Sequence, residues 1–269
     1  KTFWAYYTNA SGGKVVVESL CANPAQDDGT NEYGQASASN LVTTTTYYPP
    51  GAANAAERDR VASVVHPDGR MTLYSYEEGT FTRGASPGDS SFSQSAGGPC
   101  LQTTVEQGTN AAGAFATVDG LSTKSVTVAS NLNSRVLMRT QYVRHEGASY
   151  ALTEWSVTDY DSWGRAVAEY HHDGTSSSNQ WDVCCGLASS TDRNGDQTAY
   201  EYDSLRRLVG TTRFGYQGIA TLYVTNVLDA AGRTVATLTT GHKDADILTR
   251  ASSNEYDLAG RPVKSWDAA

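Results

Sequence analysis

The sequence is poor in charged residues, in methionine and in long apolar runs, and each shortage excludes a class of protein. Charged residues make up 18% of the chain, and only 2 of its 269 residues are Met, whereas a helical bundle would be rich in Leu, Glu and Lys. No apolar run approaches the roughly 18 residues that a membrane-spanning helix needs. The net charge of -9 comes without a basic stripe, which disfavours nucleic acid as a partner.

Thr, Ser, Ala, Gly and 16 Tyr take the place of the missing charges. Thr and Tyr fit a pleated, half-buried surface, and an aromatic content of 10% is enough for a folded core. Runs at 14–19, 41–48, 122–129, 136–144 and 152–158 have the composition of strands, and only 54–63 has that of a short helix. The sequence therefore predicts an all-β protein.

A short pattern centred on Asp recurs four times in the C-terminal half, at spacings typical of stacked supersecondary units. The recurring residues are Tyr160, Asp161, Gly164 and Arg165, then Tyr202, Asp203 and Arg207, then Asp229, Gly232 and Arg233, and finally Tyr256, Asp257, Gly260 and Arg261.

The pattern predicts a tight hairpin turn at each copy. Asp caps the first position, and the Gly three residues later takes the left-handed conformation that closes the hairpin. The Arg after it begins the return strand, where it can reach the Asp or a neighbouring turn. The second copy has Arg206 in place of Gly, so either that turn is of another type or Arg206 carries left-handed strain.

A second pattern, G-x-x-T-x-Y-x-Y-[DE], precedes the second turn at 195–203 and occurs again at 69–77. Thr198, Tyr200 and Tyr202 alternate with other residues, so they share one face of a strand. One Tyr per repeat on the same face predicts a ladder of aromatic side chains along the sheet.

These residues resemble the YD-repeat (RHS-repeat) family, whose pattern is present almost whole at 195–208 and in part at the other turns. The resemblance implies tandem β-hairpins that form a spiralling sheet or partial shell. In family members the shell is hollow and belongs to secreted bacterial toxins and cell-surface adhesion proteins. It therefore implies a structural, non-catalytic role at an extracellular or cell-surface location in a bacterium.

The repeats suggest one continuous β-domain with two parts. Residues 1–150 form an irregular β region with one divergent repeat near 64–77, and residues 151–269 form the tandem hairpins. There are too few repeats for a full shell, and there is no family-type self-cleavage segment and no signal peptide. We therefore expect a processed or excerpted piece of a shell, or a stand-alone sheet. The expected partners are further repeats of the same polypeptide, or copies that join through open sheet edges into a fibre.

The four cysteines do not have zinc-ligand spacing, and we expect no metal and no cofactor. Cys184 and Cys185 are adjacent, and a bond between them needs a strained ring. One interpretation pairs one or both of them with Cys21 or Cys100. The alternative is that the cysteines are buried free thiols.

Two other functions compete with the structural role. His171 and His172 precede an Asp-Gly turn, and a His held by Glu154 or Glu169 could serve a polysaccharide lyase or hydrolase. The simpler interpretation is a strand that ends in a turn, because adjacent His side chains point to opposite faces.

Oxygen ligands at 192–196 are reminiscent of a calcium loop, but their spacing fits poorly.

Exposed aromatic residues would favour a carbohydrate-binding or adhesive module. Trp155, Trp163, Trp181 and Trp266 lie in or beside the repeats, and aromatic rings stack on sugars. Aromatic residues more often fill the interior, so we expect core positions for three of them and exposure for Trp163, which lies at a turn.

Overall fold

The computed structural model describes residues 2–21, 40–111, 114–116, 121–145, 148–183, 186–215, 221–243 and 246–268. Strands dominate this part of the chain, with short 3₁₀ turns at Ala55–Glu57 and Pro87–Asp89. The all-β prediction is confirmed, and no helix in the described ranges is long and apolar enough to cross a membrane. The strands are β1 (Thr2–Thr8), β2 (Lys14–Cys21), β3 (Asn40–Tyr47), β4 (Val61–Val65), β5 (Arg70–Thr82), β6 (Ser91–Gln94), β7 (Cys100–Ala111), β8 (Ala114–Ala116), β9 (Leu121–Ser130), β10 (Val136–His145), β11 (Ala151–Tyr160), β12 (Ala166–His171), β13 (Ser176–Trp181), β14 (Leu187–Thr191), β15 (Gln197–Tyr202), β16 (Leu208–Arg213), β17 (Leu222–Leu228), β18 (Thr234–Lys243), β19 (Asp246–Tyr256) and β20 (Pro262–Ala268).

The chain divides into two compact units, residues 1–157 and 158–269, with the division inside β11. In the first unit, the order of antiparallel neighbours is β1, β2, β3, β4, β5, β7, β9, β10 and β11. The short strand β6 pairs with the C-terminal end of β5, and the short strand β8 pairs with the C-terminal end of β7. The first unit is therefore a meander with two extra short strands.

One face of the first unit holds its core. Val15 and Val17 on β2, Val128 on β9 and Val157 on β11 are each at most 6% exposed. The strand register places them on the same side of the sheet, because paired residues share a face and side chains alternate along each strand. β-branched valine packs well on such a surface.

Residues 48–60 cover a stretch of β5 that neither β4 nor β6 reaches. The Tyr48 hydroxyl donates to the Tyr74 carbonyl (2.8 Å), and the Asn54 side-chain amide donates to the Tyr76 carbonyl (2.6 Å). The expected helix over 54–63 is reduced to the 3₁₀ turn, since β4 already begins at Val61. This insertion interrupts the pairing along that edge of β5.

The second unit contains nine consecutive strands, β12 to β20, and each pairs with the next in antiparallel register. Thr198, Tyr200 and Tyr202 of β15 lie on one face, as the alternation predicts. Among the described residues of this unit, only His171 and Gly210 are buried. The described part of the unit therefore has half-exposed side chains on both faces and little buried core.

Cys100 is the one cysteine whose side chain the structure describes. It is a buried free thiol with 6% exposure, as in the second of the two interpretations. It lies at the start of β7, where its cross-strand partners are Gly79 on β5 and Ser130 on β9. The side chain of Cys21 and residues 184–185 lie outside the described part of the chain.

Candidate functional site: the stacked Asp–Arg turns

The four repeat turns close with the same pair of backbone hydrogen bonds. In the first copy, Asp161 N donates to Arg165 O (3.0 Å), and Gly164 N donates back to Asp161 O (2.8 Å). The copies at 203–207, 229–233 and 257–261 repeat this pair at 2.9–3.0 Å. The same closure occurs at 9–13 and 66–70 in the first unit, and at 171–175 and 192–196 in the second.

The Asp side chain holds each turn together. In the second copy, Asp203 Oδ1 accepts from the backbone N–H groups of Leu205 and Arg207, both at 2.9 Å. Its Oδ2 accepts from Arg207 Nε at 2.7 Å. Asp161, Asp229 and Asp257 make the same three bonds to their own turns. Each Arg therefore pairs with the Asp of its own turn.

These hydrogen bonds favour the ionised carboxylate. The pKa of Asp203 is lowered, chiefly because the backbone N–H of Arg207 donates to the carboxylate, and the Arg207 side chain adds to this effect. The pKa values of Asp161, Asp229 and Asp257 are lowered for the same first reason. The stabilisation from these groups is therefore present above the ordinary Asp pKa and is lost as pH falls through the lowered values.

The fourth residue of each turn has a left-handed backbone. Gly164, Gly232 and Gly260 have φ values of 75°, 82° and 81°, and Arg206 has a φ value of 62°. The second copy is therefore the same turn as the others, with left-handed strain at Arg206.

A β-bulge follows three of the four turns. Tyr202 pairs with Leu208 while Glu201 pairs with Gly210, which leaves Val209 as an extra residue on the return strand. The same shift follows the hairpins that end at Leu228 and Tyr256. Such bulges bend the strand and increase its twist. Nothing in the turn motif signalled them.

Arginine side chains connect one hairpin turn to the next. Arg165 Nη1 donates to the carbonyl of Asp182 (3.2 Å), and Arg207 Nη1 donates to the carbonyl of Asp229 (3.0 Å). Arg206 forms an ion pair with the Asp182 carboxylate (2.7 Å). These bonds stack the turns into a row along one side of the β12–β20 sheet.

Aromatic residues just before each Asp make a second set of connections. Trp181 Nε1 donates to Ala166 O (2.8 Å), the Tyr202 hydroxyl to Leu187 O (3.1 Å) and the Tyr256 hydroxyl to Thr234 O (3.0 Å). Each acceptor is the first residue of the preceding return strand. The third copy has Leu228 at this position, so it lacks the bond.

Cation–π contacts accompany these bonds. The guanidinium of Arg165 lies 5.3 Å from the Trp181 ring centre, and that of Arg233 lies 4.8 Å from the Tyr256 ring centre. The other Tyr of the motif, Tyr200, shares a hydrogen bond with Ser190 (3.1 Å). Tyr160, the last residue of β11, is half-buried.

The opposite side of the sheet carries its own turns, joined by solvent-exposed ion pairs. Arg193 pairs with Asp173 (2.7 Å), and Arg213 pairs with Asp196 (2.6 Å). Asp192 Oδ1 accepts from the N–H groups of Asn194 and Asp196, so the segment that is reminiscent of a calcium loop is a repeat turn. No cluster of metal-ligating side chains occurs among the described residues.

His171 and His172, the candidate catalytic residues of the enzyme hypothesis, lie at the 171–175 turn. His171 is 8% exposed, and its Nδ1 is buried without a hydrogen-bond partner in the described structure. Its backbone N–H closes the 171–175 turn, whereas the neighbouring His172 is exposed. Neither Glu154 nor Glu169 forms a described hydrogen bond to the His171 ring.

The tryptophans of the glycan hypothesis differ in exposure. Trp163 is 62% exposed at its turn, where Arg165 lies 4.9 Å from its ring centre. Trp266 is 44% exposed on β20, contrary to the expected core position. Trp155 and Trp181 have intermediate exposure.

The fold and the stacked turns define a tandem β-hairpin repeat protein. Residues 186–217, which contain the turns at Asp192 and Asp203, match the family model described as the RHS repeat. The chain therefore contains an RHS repeat, and the resemblance seen in the sequence is confirmed. No curated protein matches the chain.

Several solved structures match the chain at low identity. The crystal structure of TcdB2-TccC3 has 13% identity and a TM-score of 0.42, over 84% of this chain and 14% of that chain. The same complex without its hypervariable C-terminal region has 8% identity and a TM-score of 0.39, over 99% and 18%. A mutant Tc holotoxin pore of Photorhabdus luminescens has 11% identity and a TM-score of 0.26, over 98% and 18%. The chain spans less than a fifth of the length of these proteins.

Proposed function

We propose that this chain is a non-catalytic structural segment that forms part of an extracellular protein shell, bacterial in origin. The observation that carries the proposal is the row of connected turns. Each hairpin is fixed to the next by an Arg bond, an aromatic hydrogen bond or both, so connections of the same kind can extend the sheet by any number of hairpins.

The second unit has a small buried core, and this favours a role as part of a protein wall over a role as a compact binding domain. Its described side chains are mostly half-exposed on both faces, and its regular features are turns and bulges that repeat along the sheet. Bulges add bend and twist at several of the hairpins, which is the property a curved wall needs. In such a wall, the neighbours of this segment are further repeats of the same polypeptide.

A self-assembling surface fibre is the second candidate, and the edge strand β1 favours it. Among the described strands, β1 pairs only with β2. It carries exposed Trp4 (53%), Tyr6 (64%) and Tyr7 (54%) and no charged residue within Thr2–Thr8. An uncharged aromatic edge is a template for pairing with another strand, including that of a second copy.

Negative-stain electron microscopy of the purified chain and of Tyr6→Lys distinguishes the two candidates. Thin curved sheets or hollow particles from both proteins support the shell. Long fibres from the parent that are lost in Tyr6→Lys support the fibre, because a charge on an edge strand blocks pairing. Tyr223→Lys, on the interior strand β17, is the matched control and should leave either assembly intact. Compact monomers from the parent would contradict both candidates and favour the glycan-binding or polysaccharide-acting alternatives.

A further inference from the structure

The core-bearing face of the first unit also carries a group of basic and aromatic side chains. We call Glu106, Lys124, Tyr142, Arg144 and Tyr150 the basic cluster. Glu106 on β7 is opposite Lys124 on β9, and Lys124 is opposite Tyr142 on β10. Two residues further along, Arg144 on β10 is opposite Ser122 on β9. All five residues of the cluster are half-buried, so water and small solutes can reach them.

The two cations of the basic cluster are held by aromatic rings. Lys124 Nζ lies 4.6 Å from the ring centre of Tyr142 and 4.8 Å from that of Tyr150. The Arg144 guanidinium lies 4.8 Å from the same Tyr150 ring centre. Both cations therefore share Tyr150 and lie in one small region.

The carboxylate of the basic cluster does not pair with either cation in the described structure. Glu106 Oε2 accepts from the Tyr150 hydroxyl at 2.8 Å. Burial and this hydrogen bond raise the pKa of Tyr150 to about 12, so the phenol stays protonated and remains a donor to Glu106 at neutral pH. The cluster thus has two cations and one carboxylate, and that carboxylate already has a partner.

Two buried polar atoms beside the basic cluster have no hydrogen-bond partner in the described structure. They are Ser122 Oγ and Arg144 Nε, on residues that face each other across the β9–β10 pair. Ser122 is 2% exposed. Buried donors without partners are uncommon and costly in folded proteins, so two on facing residues indicate a missing acceptor.

A cavity of about 210 Å³ provides space beside Ser122. Its lining includes Ser122, Gly108 and Met71, together with His66 and Arg70. Gly108 is buried and has no side chain to fill the space next to Ser122. The cavity can hold a small molecule rather than a single water.

We propose that Ser122, Lys124 and Arg144 form a binding site for the carboxylate of a small ligand. The carboxylate accepts hydrogen bonds from Arg144 Nε and the Ser122 hydroxyl, and its charge is balanced by Lys124 and Arg144. Hydrogen bonds between charged partners in a partly buried site are the stronger ones, and this acceptor supplies what both orphaned donors lack. The site is separate from the four Asp–Arg turns and does not depend on the proposed structural function.

NMR spectroscopy of the full chain tests the site directly. The Arg Nε–Hε signals are recorded during titration with sodium acetate, sodium D-glucuronate or D-glucose, with sodium chloride holding ionic strength constant. The Arg144 signal is identified by its disappearance in Arg144→Lys. We expect it to shift and saturate with glucuronate, and a matching response to acetate would identify a simple carboxylate site rather than a sugar-acid site. No saturable shift with either anion, or an equal shift with neutral glucose, would overturn the proposal.

Substitutions distinguish a ligand site from a merely structural cluster. Ser122→Ala removes an unpartnered hydroxyl, so it should leave the unfolding temperature unchanged or raised, yet weaken carboxylate binding about tenfold, as expected for one charge-assisted hydrogen bond. Lys124→Met should weaken binding at least as much. Lys14→Met is the matched control, because Lys14 also lies over two tyrosine rings, at 5.4 and 5.3 Å. Unchanged affinity in folded Ser122→Ala and Lys124→Met would contradict the proposed site.

Discussion

Arg206 offers a direct test of how backbone strain contributes to the repeat turns. It is the one residue at the fourth position of the four Asp–Arg turns that is not glycine, and its φ value of 62° lies in the left-handed region. We expect Arg206→Gly to be more stable than Arg206→Ala. Both substitutions remove the side chain and its ion pair with Asp182, so the difference between them isolates the backbone.

The magnitude follows from two opposing effects. A left-handed conformation costs an L-residue about 1–2 kcal/mol relative to glycine. Against this gain, glycine makes the unfolded chain more flexible, which lowers the stability of the folded state by about 0.4–1 kcal/mol. The net advantage of Arg206→Gly over Arg206→Ala is therefore about 0.5–1 kcal/mol, which corresponds to roughly 1–4 °C in the unfolding temperature.

Thermal unfolding followed by circular dichroism measures this difference, with Gly232→Ala as the reverse control. Gly232 has a φ value of 82° in the next turn, so its substitution should lower the unfolding temperature by a similar amount. Equal stability of Arg206→Gly and Arg206→Ala, together with a loss in Gly232→Ala, would mean that Arg206 relaxes to another turn and carries no strain.

Three further predictions concern the aromatic connections, the basic cluster and the core. Leu228→Tyr should raise stability by about 1 kcal/mol, since the new hydroxyl can reach the carbonyl of Leu208 and its ring can pack under Arg207; no gain on thermal unfolding would contradict the inferred connection. The raised pKa of Tyr150 contributes stability that is present below the ordinary value of 10.0 and is lost as pH rises towards about 12. Tyr150→Phe should remove that part of the pH dependence in alkaline unfolding curves. Val128→Ala should cost about 2 kcal/mol in urea unfolding, because Val128 is fully buried, and a cost below half of that would mean that the core collapses around the cavity.

The turns could be predicted because they are local. Asp161, Gly164 and Arg165 lie within five residues of one another, and Asp and Gly at this spacing have specific backbone preferences. The same reasoning identified Arg206 as the exception and left two explanations for it. The alternation of Thr198, Tyr200 and Tyr202 was also a local signal, so the sequence was enough to place them on one face.

The features that escaped prediction depend on contacts between distant segments. Val209 is an ordinary strand residue, and only the pairing of β15 with β16 makes it the extra residue of a bulge. Tyr48 and Asn54 bond to β5 residues more than 20 positions away. The Tyr150–Glu106 hydrogen bond spans 44 positions. The strand register brings Lys124, Arg144 and Tyr150 together, and no sequence pattern predicts that register.

Salt should weaken some of the connections along the β12–β20 sheet and spare others. Arg165 and Arg207 donate to main-chain carbonyl oxygens of the next turn, and such short-range hydrogen bonds change little with ionic strength. The solvent-facing pairs Arg206–Asp182, Arg193–Asp173 and Arg213–Asp196 are screened by dissolved ions. A concentrated electrolyte should therefore weaken connections on both sides of the sheet, while the Arg165 and Arg207 hydrogen bonds still hold their turns together. The bending of the second unit should then respond to the ionic composition of its surroundings.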